Sequence, residues 1–388
     1  MTRHYLDYAS TAPLRLAARD AYTDAISQQA AASIGDPGRI HHEGMTARAL
    51  LENARAQVAS LLGAKQREIL FTSGATESIA SAVWGAVRRS VDAGGTPHIV
   101  HSAVEHSAVR RSSDLFTRTC GGSVTVVGVD RNGRIDLEAF LDALTPGTAL
   151  AHVQWGNHEV GTLQPVREIA EACRERGILV HVDAAQAVGH LSVVPRELGI
   201  DLLSFSSHKF GGPTGIGALW IRQGLRLEPL LMGGEQERAR RAGLENIAAA
   251  LAFGAAAEEL DPHRIDAEGA TSRAQLSHAL DRLTDVEGIS LLGPIDPADR
   301  LPHIVCLAID GVEPQGVVLG LDRLGIALHS GSSCASEGLE PSPVLDAMGV
   351  DAQRSLRISV GHASTMDDID ALCHALPRVV GELRSLHS

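Results

Sequence analysis

Between about residues 50 and 225 the chain repeats one alternation, a short apolar run followed by a stretch with helical periodicity. Runs at 68–72, 98–101, 149–155, 178–182, 202–205 and 217–221 read as strands. Between two of them Val166, Ile169, Ala170 and Cys173 recur at the spacing of one helix face, just behind Pro165, a residue suited to a helix start. Strand–helix alternation of this kind predicts an α/β fold with a mainly parallel sheet. In such sheets ligands bind beyond the carboxyl ends of the strands.

A chain of 388 residues exceeds one ordinary core, so a large and a small domain are expected. The pattern changes after an Ala-rich helix at 246–260, read as the link between them. Runs at 304–309 and 356–360 look like strands of a smaller α+β unit. The tail at 366–383 reads as a helix, with Thr365 as N-cap and Pro377 as a kink. The expected division is a large domain at 15–255 and a small domain made of 1–14 and 256–388.

Charge and cysteine usage remove several function classes. With 34 Lys and Arg against 47 Asp and Glu, the net charge of −13 argues against a broad nucleic-acid surface. The cluster Arg238-Ala-Arg-Arg241 is a local patch. No apolar run reaches a membrane span and the first residues lack a signal-peptide core, so a cytoplasmic protein is expected. Five scattered cysteines without a Cys-x-x-Cys pair suggest neither a zinc site nor a disulfide framework. Cys173 and Cys373 fall at apolar helical positions and read as buried hydrophobes, while pattern alone does not assign Cys120 and Cys306.

The chemistry concentrates at strand ends. Lys209 stands in Ser204-Phe-Ser-Ser-His-Lys-Phe-Gly-Gly, beside Ser206 and His208 and close to Gly211, Gly212 and Gly215, where backbone can approach a ligand. Asp183 ends another run, with Gln186 three residues on. A lysine amine beside a strand-end carboxylate is what pyridoxal 5'-phosphate (PLP) requires, the lysine for covalent attachment and the acid for the pyridine nitrogen. A solvated loop lysine is the bland alternative, and the combination with Asp183 and Gln186 outweighs it. Phe71-Thr-Ser-Gly-Ala-Thr76-Glu-Ser is a strand end, a Gly turn and a helix start, suited to a phosphate or to simple capping. His106, in Val104-Glu-His-Ser-Ala-Val, could stack on a ring and move protons, or be one of 18 structural histidines. Cys334 lies among small residues in Ser330-Gly-Ser-Ser-Cys-Ala-Ser, a loop composition that favours a reactive thiol over a buried one. Arg357 is a charge inside an apolar strand, and it needs either a structural ion pair or a ligand carboxylate.

These segments, in this order, resemble the cysteine desulfurases, a branch of the class V aminotransferase-like, fold-type I PLP enzymes. The resemblance runs from Tyr5-Leu-Asp-Tyr-Ala-Ser-Thr-Ala-Pro13, through the segments around Thr76, His106, Asp183 and Lys209, to the Cys334 segment with its following Leu-Glu-Pro-Ser-Pro-Val-Leu and the Arg357 strand. It implies a homodimer with Lys209 as the Schiff-base lysine, Asp183 on the pyridine nitrogen and Gln186 on the phenolic oxygen. His106 would stack on the ring; Thr76, Ser206 and His208 would bind phosphate. Arg357 would clamp the substrate carboxylate and Cys334 would carry sulfur as a persulfide. Four positions depart from the family pattern. His158 replaces an asparagine that contacts the ring oxygen, and Leu244 a threonine that caps phosphate. Asp36 replaces an asparagine near the substrate, and Ala80 another asparagine.

The implied activity is conversion of L-cysteine to L-alanine, with sulfur passed from Cys334 to an acceptor protein in iron–sulfur assembly, thiolation or another sulfur pathway. The competing expectations are a selenocysteine or cysteine-sulfinate lyase or related aminotransferase of the same fold, and a non-catalytic assembly subunit. Need for Cys334 separates the first of these, and bound PLP the second.

Overall fold

The computed structural model describes residues 2–330 and 342–386. After a two-residue strand β1 (His4–Tyr5), seven strands form the main sheet: β2 (Ile69–Thr72), β3 (His98–Ser102), β4 (Ser123–Val127), β5 (Thr148–Gln154), β6 (Leu179–Asp183), β7 (Leu202–Ser206) and β8 (Gly217–Ile221). Their order is β2-β8-β7-β6-β5-β3-β4, with β8 antiparallel to both neighbours and the remaining pairs parallel. This is the α/β architecture that the alternation predicts, with strand ends within a few residues of expectation. Every residue of β2, β7 and β8 is buried, as continuous apolar runs covered on both faces require. β4 was not anticipated. It is an edge strand whose Ser-Val-Thr-Val-Val sequence is buried only at Val127, so it lacks the continuous apolar run that marks the others.

A second sheet follows, built from β9 (Ile289–Leu292), β10 (Ile304–Ile309), β12 (His329–Ser330) and β13 (Ser355–Ser359), in the antiparallel order β12-β13-β10-β9. Between β10 and β12, β11 (Ile326–Ala327) pairs in parallel with β1. Helices Pro262–Leu283 and Met366–Ser385 cover this sheet, with Leu276, Leu283, Leu372, Leu376 and Val380 in its apolar cluster. The last helix runs through Pro377. Thr365 does stand at its N-cap, where Asp368 accepts hydrogen bonds from the Thr365 backbone N–H and hydroxyl.

The Ala-rich helix, Ile247–Glu258, is not the link that its position suggests. Nine of its twelve residues are buried, too many for a solvent-bridging element, and Phe253 packs on Phe71, Phe205 and Phe210 inside the main core. An all-round apolar helix belongs in a core. The following helix, Pro262–Leu283, makes the passage instead: Ile265 belongs to the main cluster and Leu276 to the second.

The N-terminal segment ties the sheets together. Asp7 bridges to Ser359 on β13, while Ala12 N–H donates to His208 O and Arg15 Nε–H to Phe210 O beside the main sheet. Arg15 is almost fully buried, and its guanidinium is neutralised by Glu268 at 2.6 Å and Glu259 at 3.4 Å.

Candidate active site

The carboxyl ends of β2, β5, β6 and β7 converge on a cavity of about 490 Å³. Ala9 and Ser10 of the N-terminal segment and Arg357 of β13 close it. Thr76, His106, His158, Asp183, Gln186, Ser206, His208, Lys209 and Arg357 all line it, so residues far apart in sequence share one space.

Lys209 ends a short 3-10 turn that leaves β7, and its ammonium donates to Ala9 O at 2.6 Å and Ser10 O at 3.1 Å. Burial, aided by the Arg357 charge, lowers the Lys209 pKa to about 8, against the opposing pull of Asp183 and Asp7. The free amine is therefore a minor fraction at neutral pH and reaches about half near pH 8. Asp183 is the last residue of β6, and its Oδ1 accepts from Ala185 N–H at 3.0 Å. Burial, helped by the nearby Glu105 carboxylate, raises its pKa to about 7 against the Ala185 hydrogen bond and the Lys209 charge. Glu105 is itself fully buried, accepting from Ser102 Oγ–H and Gln154 N–H, and burial holds it at about 7.

Gly74, Ala75 and Thr76 add a helix start to the cavity lining. Helix Ala75–Asp92 starts there behind Gly74, with first-turn N–H groups that have no intrahelical acceptor. The helix is anchored by Ile79, Val83 and Val87 against the sheet. Glu77 in its first turn accepts from Ser73 N–H at 2.7 Å and from Arg241 Nε–H at 2.9 Å, which holds the turn in place. Gly217 at the start of β8 lets backbones approach, since a Cβ there would lie 2.7 Å from Gly74. His208 adds a buried Nδ1 with no hydrogen-bond partner among the described residues.

His106 has two roles at once. It is the N-cap of helix Ser107–Thr119, where its Nδ1 accepts from Ala108 N–H at 3.1 Å, so Nε2 carries the proton. Burial and the charges of Lys209 and Arg110 lower its pKa to about 4, which keeps it neutral. His158 meets it edge to face at 5.4 Å and is held well below its ordinary value by burial. The carbonyl of His158 accepts from Arg357 Nη1–H at 2.8 Å. Arg357 is 1% exposed. Its Nη2 donates to Asp7 Oδ1 at 2.8 Å and to Ser10 Oγ at 2.7 Å, while Nε has no partner among the described residues. It is thus ion-paired and still holds a spare donor.

Three expected positions lie apart. Asp36 does not line the cavity; its carboxylate accepts from Gly38 N–H and pairs with Arg39 at 3.0 Å. Leu244 is exposed and lines a smaller neighbouring cavity with Ser73 and Gly215. Cys334 lies outside the described residues. Of the cysteines that pattern left open, Cys306 is buried opposite Arg357, with its thiol pushed up to about 12, and Cys120 is partly exposed. Asp7, Ser10, Glu105 and Gln154 belong to the site or its backing and were not singled out from sequence. Asp7 and Ser10 sit in a segment without periodicity, and only their distance to Arg357 reveals them.

The family model described as aminotransferase class-V matches residues 4–372. A cysteine desulfurase of Cereibacter sphaeroides is 40% identical over 100% of this chain and 98% of its own length. Among solved structures, a NifS-like protein superposes with a TM-score of 0.90 at 28% identity, covering 98% of this chain and all of that one. SspA, solved in complex with cysteine, gives 0.79 at 28% identity over 94% of this chain and all of that one. Near-complete coverage by one family model and by full-length relatives leaves no segment of the likeness to chance, and the chain belongs to the class V aminotransferase family, in its cysteine desulfurase branch.

Proposed function

We propose that the protein is a PLP-dependent cysteine desulfurase that converts L-cysteine to L-alanine and loads the sulfur onto Cys334 as a persulfide for an acceptor protein. The observation that carries this reading is the union, in one cavity, of a lysine with a pKa of about 8, a buried strand-end carboxylate and a buried arginine.

The donor set fits PLP. Asp183 is a buried carboxyl with one backbone donor, and a pyridine nitrogen sharing its proton would relieve it. The start of helix Ala75–Asp92, with Thr76, Ser206 and the unpartnered His208 Nδ1, suits a phosphate. Lys209 would carry the cofactor, His106 would lie against its ring, and Gln186 with His158 would serve its phenolic oxygen. PLP supplies an electron sink that makes the substrate α-proton acidic.

Each side chain then has a task. Arg357 binds the cysteine carboxylate, using donor capacity at Nε while Asp7 and Ser10 hold its Nη2. Lys209 Nζ, near neutrality because of burial, takes the α-proton. The Cys334 thiolate attacks the substrate sulfur, and breaking the carbon–sulfur bond leaves a three-carbon product released as alanine. We further propose a cytoplasmic homodimer. The exposed apolar side chains Ile40, Met45, Met232 and Leu244 support subunit contact.

The test is cysteine turnover by wild type and Cys334→Ser, following alanine and protein-bound persulfide together. The desulfurase reading expects both products from wild type and neither from the variant. Alanine production by Cys334→Ser at the wild-type rate would establish a lyase instead, since that reaction needs no protein thiol.

A further inference from the structure

The Gln186 amide is held from two sides. Its Nε2–H donates to Ala9 O at 2.8 Å, and its Oε1 faces His303 Nε2 at 3.3 Å. An amide oxygen only accepts, so His303 carries its proton on Nε2 and keeps Nδ1 as a buried lone pair without a partner among the described residues. The His303 ring lies flat on His190, with centroids 3.5 Å apart and planes 12° from parallel. His190 in turn directs Nε2 at the Lys209 carbonyl, 3.1 Å away, and must donate there too.

Burial keeps both rings neutral, His190 at about 4 and His303 well below its ordinary value. The groups facing His303 are His190, Lys209 and Arg357, all of which disfavour a second proton. Those facing His190 include Arg15, Glu268 and His362. Ala9 O also accepts from Lys209 Nζ, which completes a closed circuit: Lys209, Ala9, Gln186, His303, His190 and back to the Lys209 carbonyl. Neither histidine lines the cavity, so neither is a catalytic residue.

We propose that His303, backed by its stack on His190, is a positioning residue that fixes the Gln186 amide so that its second N–H is offered to an acceptor inside the cavity. Ala9 O alone pins one end of that amide. His303 pins the other, and without it Oε1 loses its buried donor and the side chain is free to swing. The inference rests on the PLP reading above, in which the acceptor is the phenolic oxygen of the cofactor. An N–H donor there favours the deprotonated oxygen, so losing it moves the pH midpoint of the bound chromophore upward.

The experiment is a pH titration of the visible absorbance of the holoenzyme. His303→Leu is expected to raise the midpoint by about one pH unit, the scale of one hydrogen bond to a charged group. Gln186→Ala should raise it at least as far, and the double variant no further than Gln186→Ala alone. His303→Gln, which can place an amide N–H near the same point, should return the midpoint close to wild type. If His303→Leu does not yield folded holoenzyme, His303→Phe keeps a ring on His190 and removes the donor. A midpoint unmoved in the His303 variants while Gln186→Ala shifts, or additive shifts in the double variant, would overturn the proposal. A wild-type protein without any visible band would remove the cofactor reading itself, which is a different result.

Discussion

Replacing Asp183 by Asn should stabilise the cofactor-free protein. The carboxyl moves from its ordinary 3.8 to about 7 in the folded chain, and burial is the main cause. At about 1.4 kcal/mol per unit, ionising it in place costs roughly 4 kcal/mol. The folded state binds this proton more tightly than the unfolded chain. Stability therefore falls as pH rises from 3.8 to about 7, and the full penalty stands above that. Lys209 has a different window, between about 8 and 10.5, where the unfolded chain binds more protons and stability rises with pH. Glu105 titrates in the same window as Asp183, so the difference between wild type and variant at pH 5 and pH 7.5, rather than the pH dependence of either protein, reports Asp183. Asn retains an oxygen for the Ala185 N–H, and its amide can face the cavity. Allowing for relaxation and water in the cavity, the gain at pH 7.5 is about 2–4 kcal/mol. With about 2.1 cal/mol/K of unfolding entropy per residue over 388 residues, that is a rise in Tm of roughly 2–5 °C. The difference should shrink at pH 5, and the variant should turn cysteine over poorly, because Asn does not stabilise a protonated pyridine. The measurement is the thermal midpoint of stripped wild type and variant at both pH values. A variant no more stable than wild type at pH 7.5 would refute the reasoning, since it would mean that the buried charge carries no net strain.

Two further substitutions probe the strained turn at residues 237–239. Glu237, Arg238 and Ala239 have φ of 48°, 59° and 58°, a left-handed run without glycine. Ala239→Gly should raise stability by about 0.5–1 kcal/mol, the left-handed penalty less the extra entropy of glycine, read as a Tm increase of roughly 1 °C. Glu237→Ala should act in the opposite sense. Its carboxylate binds Arg55 at 2.6 and 2.7 Å with both side chains almost fully buried, so the variant leaves a buried cation with only the partly exposed Glu52 at 3.1 Å to compensate it. A loss of about 3–5 kcal/mol is expected, seen as a Tm drop of roughly 4–6 °C that added salt does not reproduce in wild type.

The main sheet was legible because six of its strands are buried or nearly so, and burial writes itself as continuous apolar runs. β4 was not, because an edge strand need not be buried and its Ser-Val-Thr-Val-Val sequence breaks the apolar run with polar residues. The Ala-rich helix was seen but misplaced: periodicity marks a helix, while only the three-dimensional packing of Phe253 among Phe71, Phe205 and Phe210 shows that it is core. Lys209, Asp183, Gln186 and His106 were legible because strand-end turns bring chemically distinctive residues together locally. His303 and His190 were not, since each is an unremarked histidine until the fold stacks one on the other.

The spacing between Lys209 and Arg357 depends on neither sheet alone. Lys209 leaves the main sheet after β7, and Arg357 sits in the second sheet on β13. Three residues of the N-terminal segment hold the two in register: Asp7 and Ser10 bind the guanidinium, while Ala9 O and Ser10 O bind the lysine amine. Ala9 N–H is fixed in turn by Ser359 Oγ at 2.9 Å, and Ala12 N–H by His208 O at 2.8 Å. Two groups whose positive charges repel each other are thus kept in one cavity by backbone carbonyls, the Ser10 hydroxyl and the Asp7 carboxylate, with Asp183 also attracting Lys209. That arrangement leaves Lys209 short of charge compensation, which favours the free amine, while Arg357 stays paired and cationic. The roles proposed for Lys209 as base and Arg357 as carboxylate clamp have opposite electrostatic needs, and they are compatible in one space because this one segment serves the two side chains differently.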